Sequence, residues 1–136
     1  ILADAVIQHQ GEVIGVIPDF LLKREVGHKG ISKLEVVPSM HVRKKRMADL
    51  AHGFIAMPGG WGTLEELAEI LTWRQLGIIH QPVGLLNING FFEPLLEQMR
   101  LMVNDGFLKE ESLDLLHVEA TPEKLLYHFD RPSSLI

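Results

Sequence analysis

"FIAMPGGWGTLEELAEIL", Phe54 to Leu71, changes character at its middle. The stretch "GFIAMP" (Gly53 to Pro58) is an apolar run closed by proline, which reads as a strand buried on both faces. From Thr63 to Leu76 the apolar residues recur at helical spacing, with Leu64, Leu67, Ala68 and Leu71 on the core side. Gly59, Gly60 and Gly62 stand between the two. A strand that enters a helix through a glycine loop is one step of an alternating strand–helix fold. In such sheets ligands bind outside the carboxyl ends of strands, where a loop enters a helix.

Outward from this step the alternation continues. Ile1 to His9 reads as a helix ending near Gly11, and "VIGVIP" as a short buried strand closed by Pro18. Asp19 to Ser32, broken by Gly27 and Gly30, reads as a short helix and a loop. "KLEVVP" is a second strand, and Ser39 caps the helix "SMHVRKKRMADLA". Beyond the central step, "PVGLLN" is a fourth strand and Phe91 to Asp105 an amphipathic helix stopped at Gly106. "LLHVEA" is a weaker fifth strand, followed by a helix from Thr121 to Phe129 with Thr121 as its cap. Short connections between alternating elements imply an α/β fold, a parallel sheet with helices on both faces.

The chain has 136 residues, a length that suits one domain, and its 46% hydrophobic and 23% charged residues are those of a globular protein. No apolar run approaches the ~20 residues of a membrane span. With no cysteine, disulfides, thiolate metal sites and cysteine nucleophiles are excluded, which fits a reducing, cytoplasmic compartment. The seven histidines form neither a His-x-x-x-His pair nor a His-Glu-x-x-His motif, so no metal site is expected. The net charge of −5 argues against nucleic-acid binding. Four of the thirteen basic residues nevertheless cluster in "RKKR", Arg43 to Arg46, which suits a small anionic ligand or a solvated helix face. The chain opens on "ILADAVIQHQ", already helical and without an initiator Met or a signal-peptide pattern, so an N-terminal portion of the domain is expected to be missing.

The glycine loop has the chemistry of a phosphate site. Gly59, Gly60 and Gly62 allow left-handed torsions and close approach to a ligand. The N–H groups at the helix start point at one spot, the macrodipole favours an anion there, and Thr63 adds a hydroxyl donor. A Walker A loop would need a lysine after Gly62, where Thr63 stands, and a dinucleotide fingerprint a third glycine where Glu65 stands. A single phosphate fits best. "TLEE" also matches a capping box, with Thr63 as N-cap and Glu66 reaching back, and both roles can coexist. In the basic cluster Arg43 and Lys44 lie in the first turns of a helix after a strand, where a guanidinium can clamp phosphate or orient a carboxylate. One helix face turns inward, which leaves Lys45 and Arg46 solvated and Met47 and Leu50 toward the core. His41 is the histidine beside this cluster. Trp61 and Trp73 are candidates to stack on a base, although Trp73 also suits the core.

"PGGWGTLEE" matches the pattern P-G-G-x-G-T-x-x-E, and "SMHVRK" lies upstream at a fitting distance. With "LTWRQLGIIHQPVGLLN" these motifs resemble the LONELY GUY family of cytokinin-activating phosphoribohydrolases, long labelled "lysine decarboxylase-like", from Ile1 to about Phe129. The resemblance implies a Rossmann-like homodimer with sites near the interface. It implies hydrolysis of the N-glycosidic bond of nucleoside 5′-monophosphates, AMP or its prenylated cytokinin forms, to free base and ribose 5-phosphate without a cofactor. By position it puts the catalytic residues on Arg43 and Glu66. Substrate binding falls on Arg43 and Lys44, and on the loop residues Gly59, Gly60, Trp61, Gly62, Thr63, Leu64, Glu65 and Glu66. Glu25, in "REVGH", and Thr72, in "LTW", are two further binding positions that the resemblance implies. The family's N-terminal strand with a Gly-Ser-Ser turn and its "GGGxxGLMG" turn have no counterpart here, so a single nucleotide-binding α/β domain over residues 1–136, incomplete at its N-terminus, is expected.

The chemistry accords with the resemblance. Glycosidic cleavage passes through an oxocarbenium-like state, and a carboxylate under the ribose stabilises that charge and activates water. Glu66 takes that role, the loop and Thr63 hold the 5′-phosphate, and Arg43 orients the carboxylate and balances charge. Two rivals remain. One is a non-catalytic carrier or sensor of a phosphorylated ligand, resembling molybdenum-cofactor carrier proteins. The other is the decarboxylase label, which needs pyridoxal phosphate on a pocket lysine, with Lys44 the candidate.

Overall fold

The computed structural model describes residues 1–22 and 30–130. The chain divides into two compact units, Ile1–Ala51 and His52–Ile136.

The first unit runs α1 (Leu2–Gln8), β1 (Ile14–Pro18), α2 (Asp19–Leu22), β2 (Lys33–Val37) and α3 (Met40–Leu50). β1 and β2 pair in parallel, with Ile14 opposite Lys33, Val16 opposite Glu35 and Pro18 opposite Val37. α3 packs on both strands. It starts where the sequence says it should: Ser39, in extended conformation, accepts a hydrogen bond from the Val42 N–H at its side chain, 3.2 Å. The small core of this unit holds Ile17, Val37 and Ala48. Met47 was expected toward the core but is 37% exposed, and its neighbour Ala48 faces inward instead. The smaller side chain lets the helix sit close to the sheet.

The second unit runs β3 (Phe54–Ala56), α4 (Trp61–Gln75), β4 (Val83–Leu86), α5 (Glu93–Asn104), β5 (Leu116–Glu119) and α6 (Pro122–Phe129), with 3₁₀ turns at Ile88–Gly90 and Glu110–Leu115. Its sheet is parallel in the order β3-β4-β5. Phe54, Val83 and Leu116 share one rung and Ala56, Leu85 and Val118 another. Because strand side chains alternate, these six lie on one face. There they meet Leu67, Ile70 and Leu71 of α4, Leu95 and Leu96 of α5, and Phe92. Leu85 and Phe92 are at most 1% exposed, and each such burial contributes about 1.5–3 kcal/mol. The opposite face carries Gly84 and His117 and receives α6. A Cβ at Gly84 would come within 2.7 Å of Leu125 Cδ1 and 3.1 Å of Phe129 Cζ, so the helix rests on bare backbone. His117 stacks on His128 of α6 with ring centroids 4.7 Å apart, and His128 Nε2 lies 2.9 Å from Glu119 Oε1.

The carboxyl end of β4 is tied off by Asn87, the buried polar residue of the described core. Its backbone N–H donates to the Glu119 carbonyl, 2.8 Å. Its side-chain oxygen accepts from the Phe92 N–H, 2.8 Å, and its side-chain nitrogen donates to Glu93 Oε1, 2.7 Å. α5 ends as expected at Gly106, whose φ of +79° places it in the left-handed region that stops a helix.

The α/β class, the parallel pairing and the flanking helices agree with the expectation from sequence. Four details differ. Among the described residues the strands form two sheets, one of two strands and one of three, rather than one ladder. Ile55 is 40% exposed, because β3 is only three residues long and stands at the edge of its sheet. Ala68 is exposed as well, since the buried stripe of α4 runs through Leu67, Ile70 and Leu71. Thr121 sits at the N-cap of α6 but makes no side-chain capping bond. No helix among the described residues is long and apolar enough to cross a membrane.

Candidate active site

The chain leaves β3 at Ala56, runs exposed through Met57 to Gly60, and enters α4 at Trp61. The helix therefore starts two residues before Thr63. Gly60 is the N-cap, with φ −100° and ψ −152°, and the first helical bond joins the Leu64 N–H to its carbonyl, 3.2 Å. Thr63 is inside the first turn, so it is not the cap of a capping box. A glycine N-cap has no side chain to cap the first amides. The N–H groups of Trp61, Gly62 and Thr63 have no acceptor within the helix, and the dipole of a 15-residue helix adds about half a positive charge at that end.

The three glycines serve different purposes. None of them has a positive φ; the described glycines that do are Gly77, Gly90 and Gly106. Left-handed torsion is thus not what the loop needs. A Cβ at Gly59 would run into Thr63 Oγ1 and lie 3.1 Å from Thr63 Cβ, so Gly59 lets the Thr63 side chain fold back over the loop. A Cβ at Gly60 or Gly62 would meet nothing within 4 Å. At those two positions glycine keeps open space beside the helix amides.

Along α4, Thr63, Leu64 and Glu66 are half-buried, whereas Trp61, Gly62 and Glu65 are exposed, Trp61 at 87%. Glu66 lies about 6 Å beyond Gly62 along the axis, at 1.5 Å per residue. Thr72 is another ~9 Å on by the same rise. It is exposed, and its hydroxyl donates to the Ala68 carbonyl, 2.7 Å, so that oxygen is engaged with its own helix. Glu25 lies outside the described residues.

The basic cluster resolves into separate roles. Arg43 and Lys44 are half-buried in the first turns of α3, after the carboxyl end of β2, and His41 beside them is exposed. The Arg43 Nε–H donates to the Val16 carbonyl of β1, 3.1 Å. Lys45 is solvated, as expected, and pairs with Asp49 at 2.6 Å. Arg46 is not the free, solvated cation expected: its Nε and Nη2 donate to the two oxygens of Glu35, 2.6 and 2.9 Å. Lys33 Nζ adds a third contact to Glu35 Oε1, 2.8 Å. These hydrogen bonds, from Arg46 first and then Lys33, hold the Glu35 carboxyl down at about 2. The Arg46–Glu35 fork was missed because partners eleven residues apart on different elements leave no local pattern.

In the first unit Arg43 and Lys44 follow the carboxyl end of β2, and in the second the glycine loop and Glu66 follow that of β3. Among the described residues no group of three or more His, Asp or Glu side chains is placed to hold a metal ion.

The family profile described as "Possible lysine decarboxylase" matches residues 1–129. The chain is 46% identical over 120 residues to the "Cytokinin riboside 5′-monophosphate phosphoribohydrolase LOG" of Oryza sativa subsp. japonica, covering 87% of this chain and 50% of that protein. It is 47% identical over 108 residues to the corresponding LOG7 of Arabidopsis thaliana, covering 79% of this chain and 50% of the relative. The chain spans about half the length of the curated relatives it matches. It belongs to the "Possible lysine decarboxylase" family, alongside the LONELY GUY phosphoribohydrolases that its motifs resemble.

Proposed function

We propose that the protein hydrolyses the N-glycosidic bond of nucleoside 5′-monophosphates, cytokinin nucleotides among them, to free base and ribose 5-phosphate. The observation that carries this reading is the glycine loop. It leaves open space beside the uncapped amides of Trp61, Gly62 and Thr63, and places Glu66 one turn further along the same helix.

In this mechanism the 5′-phosphate binds the loop amides and Thr63, which fixes the ribose relative to Glu66. As the glycosidic bond breaks, positive charge spreads over C1′ and the ring oxygen. The base leaves with the bond's electron pair and gains a proton from solvent at the nitrogen of that bond. The Glu66 carboxylate stabilises the charge left on the ribose and takes a proton from the water that adds to C1′. Arg43 and Lys44 take the family's anion-binding positions, and Arg43 its catalytic arginine position, by sequence. Glu25, Leu64, Glu65 and Thr72 complete the binding set by position. The protein acts as a cytoplasmic homodimer. Trp61, Leu76, Ile78 and Phe107 of the second unit are each exposed apolar side chains, which supports this reading. Pyridoxal phosphate chemistry has less support, since its candidate lysine, Lys44, follows Arg43 in an anion-binding pattern.

The test is chromatographic. The protein is incubated with AMP and with isopentenyladenosine monophosphate, beside Glu66→Gln. Base and ribose 5-phosphate from the wild type alone, with AMP binding kept in the variant, is the expected result. Nucleotide binding without product from the wild type would replace hydrolysis by a carrier or sensor role.

A further inference from the structure

We propose that Glu35 and Arg46 form a positioning pair for Arg43. Arg43 and Arg46 are three residues apart on α3 and hence on one side of it, a turn from each other. Their partners, Val16 and Glu35, sit directly opposite each other on the β1–β2 ladder. The helix is therefore held to a single rung at two points, by the Arg43 Nε–H on the Val16 carbonyl and by the Arg46 fork on the Glu35 carboxylate. One contact alone leaves a helix able to roll about its axis. A second contact, one turn away and on the neighbouring strand, removes that freedom. The Glu35–Arg46 contact suits the purpose because a guanidinium that meets both carboxylate oxygens has a fixed mutual geometry. Lys33, two residues before Glu35 on the same strand face, adds a contact to Oε1, the oxygen that Arg46 Nη2 also meets. Glu35 keeps its charge down to pH about 2, so the clamp stays closed across the working range. Neither Glu35 nor Arg46 touches substrate in this account; they act through the placement of the Arg43 guanidinium.

This inference rests on Arg43 acting on the substrate. The experiment measures kcat, KM for AMP, thermal midpoint and the Nε–H proton signal of Arg43, assigned by its loss in Arg43→Lys. Glu35→Gln and Arg46→Gln are each expected to lower kcat about 10- to 100-fold, the scale of a small misplacement of a catalytic group, with KM nearly unchanged. The double variant should be no worse than either single one, and the Arg43 signal should exchange faster with water. Arg46→Lys keeps the charge but not the fork, folds with less disturbance, and should show the same loss in kcat to a smaller degree. Unchanged kcat in these variants, or a lower thermal midpoint with an unaltered Arg43 signal and turnover, would overturn the proposal while Arg43 keeps its role. If Arg43→Lys itself turned over like the wild type, the assignment of Arg43 to the reaction would fall, and the positioning role with it.

Discussion

Gly62→Ala separates the fold from the proposed function. The position is the second residue of α4, its φ is not positive, and the new methyl group would meet no atom within 4 Å. Alanine gains about 0.5–1 kcal/mol over glycine within a helix. For a chain of this size that gain is expected to raise the thermal midpoint by roughly 2–4 °C. The same methyl occupies the space beside the Trp61, Gly62 and Thr63 amides. A phosphate pushed off them loses charge-assisted hydrogen bonds worth about 1.5–3 kcal/mol each. The AMP dissociation constant should then rise about 10- to 100-fold. Calorimetry reads both quantities, by thermal unfolding and by titration with AMP. Gly59→Ala is the contrast, because its methyl strikes the Thr63 side chain and lowers stability. A Gly62→Ala protein that binds AMP like the wild type would show that the phosphate does not sit over this loop.

Leu85→Ala removes a fully buried side chain from the second unit and is expected to cost about 2–5 kcal/mol, measured by denaturant unfolding. Gly84→Ala drives a methyl into Leu125 and Phe129 and should cost about 1–3 kcal/mol in the same assay. The Glu35 carboxyl is lowered from 4.5 to about 2 in the fold, so its contribution to stability is complete above pH 4.5 and fades as pH falls toward 2. Glu35→Gln should flatten the unfolding curve across that window. Burial first, then the nearby His128 and Arg74, hold the His117 imidazole below its ordinary 6.5. The unfolded chain then binds the extra proton more readily, so stability is full above pH 6.5 and declines on acidification below it. His117→Asn should remove that part of the slope, read as thermal midpoint against pH.

What could be read from sequence was set by neighbours along the chain. Ser39 announced its helix because a cap acts on an amide three residues away, and Gly106 ended one for an equally local reason. The buried β4 was plain from four apolar residues in a row. The start of α4 was misread because a threonine followed three residues later by glutamate looks the same at a cap as inside the first turn. Gly60, which carries no side chain, left no sign that it was the cap. The alternation of strands and helices was legible, but which strands pair depends on tertiary packing, and so did the division into two sheets. The candidate site followed the same rule. The loop and its helix are continuous in sequence and could be named residue by residue. One partner of Arg43 is the Val16 carbonyl, a backbone atom that every residue has, and no pattern marks it.

Asn87 is buried with both ends of its amide engaged, giving through nitrogen to Glu93 and receiving through oxygen from Phe92. No other side chain of that shape both gives and receives. Aspartate differs by a single atom, yet it would set a second carboxylate oxygen where the nitrogen now lies 2.7 Å from Glu93. Slow hydrolysis of asparagine makes that exchange without any change in the gene. At Asn87 that exchange would turn a bond that joins the end of β4 to α5 into a repulsion.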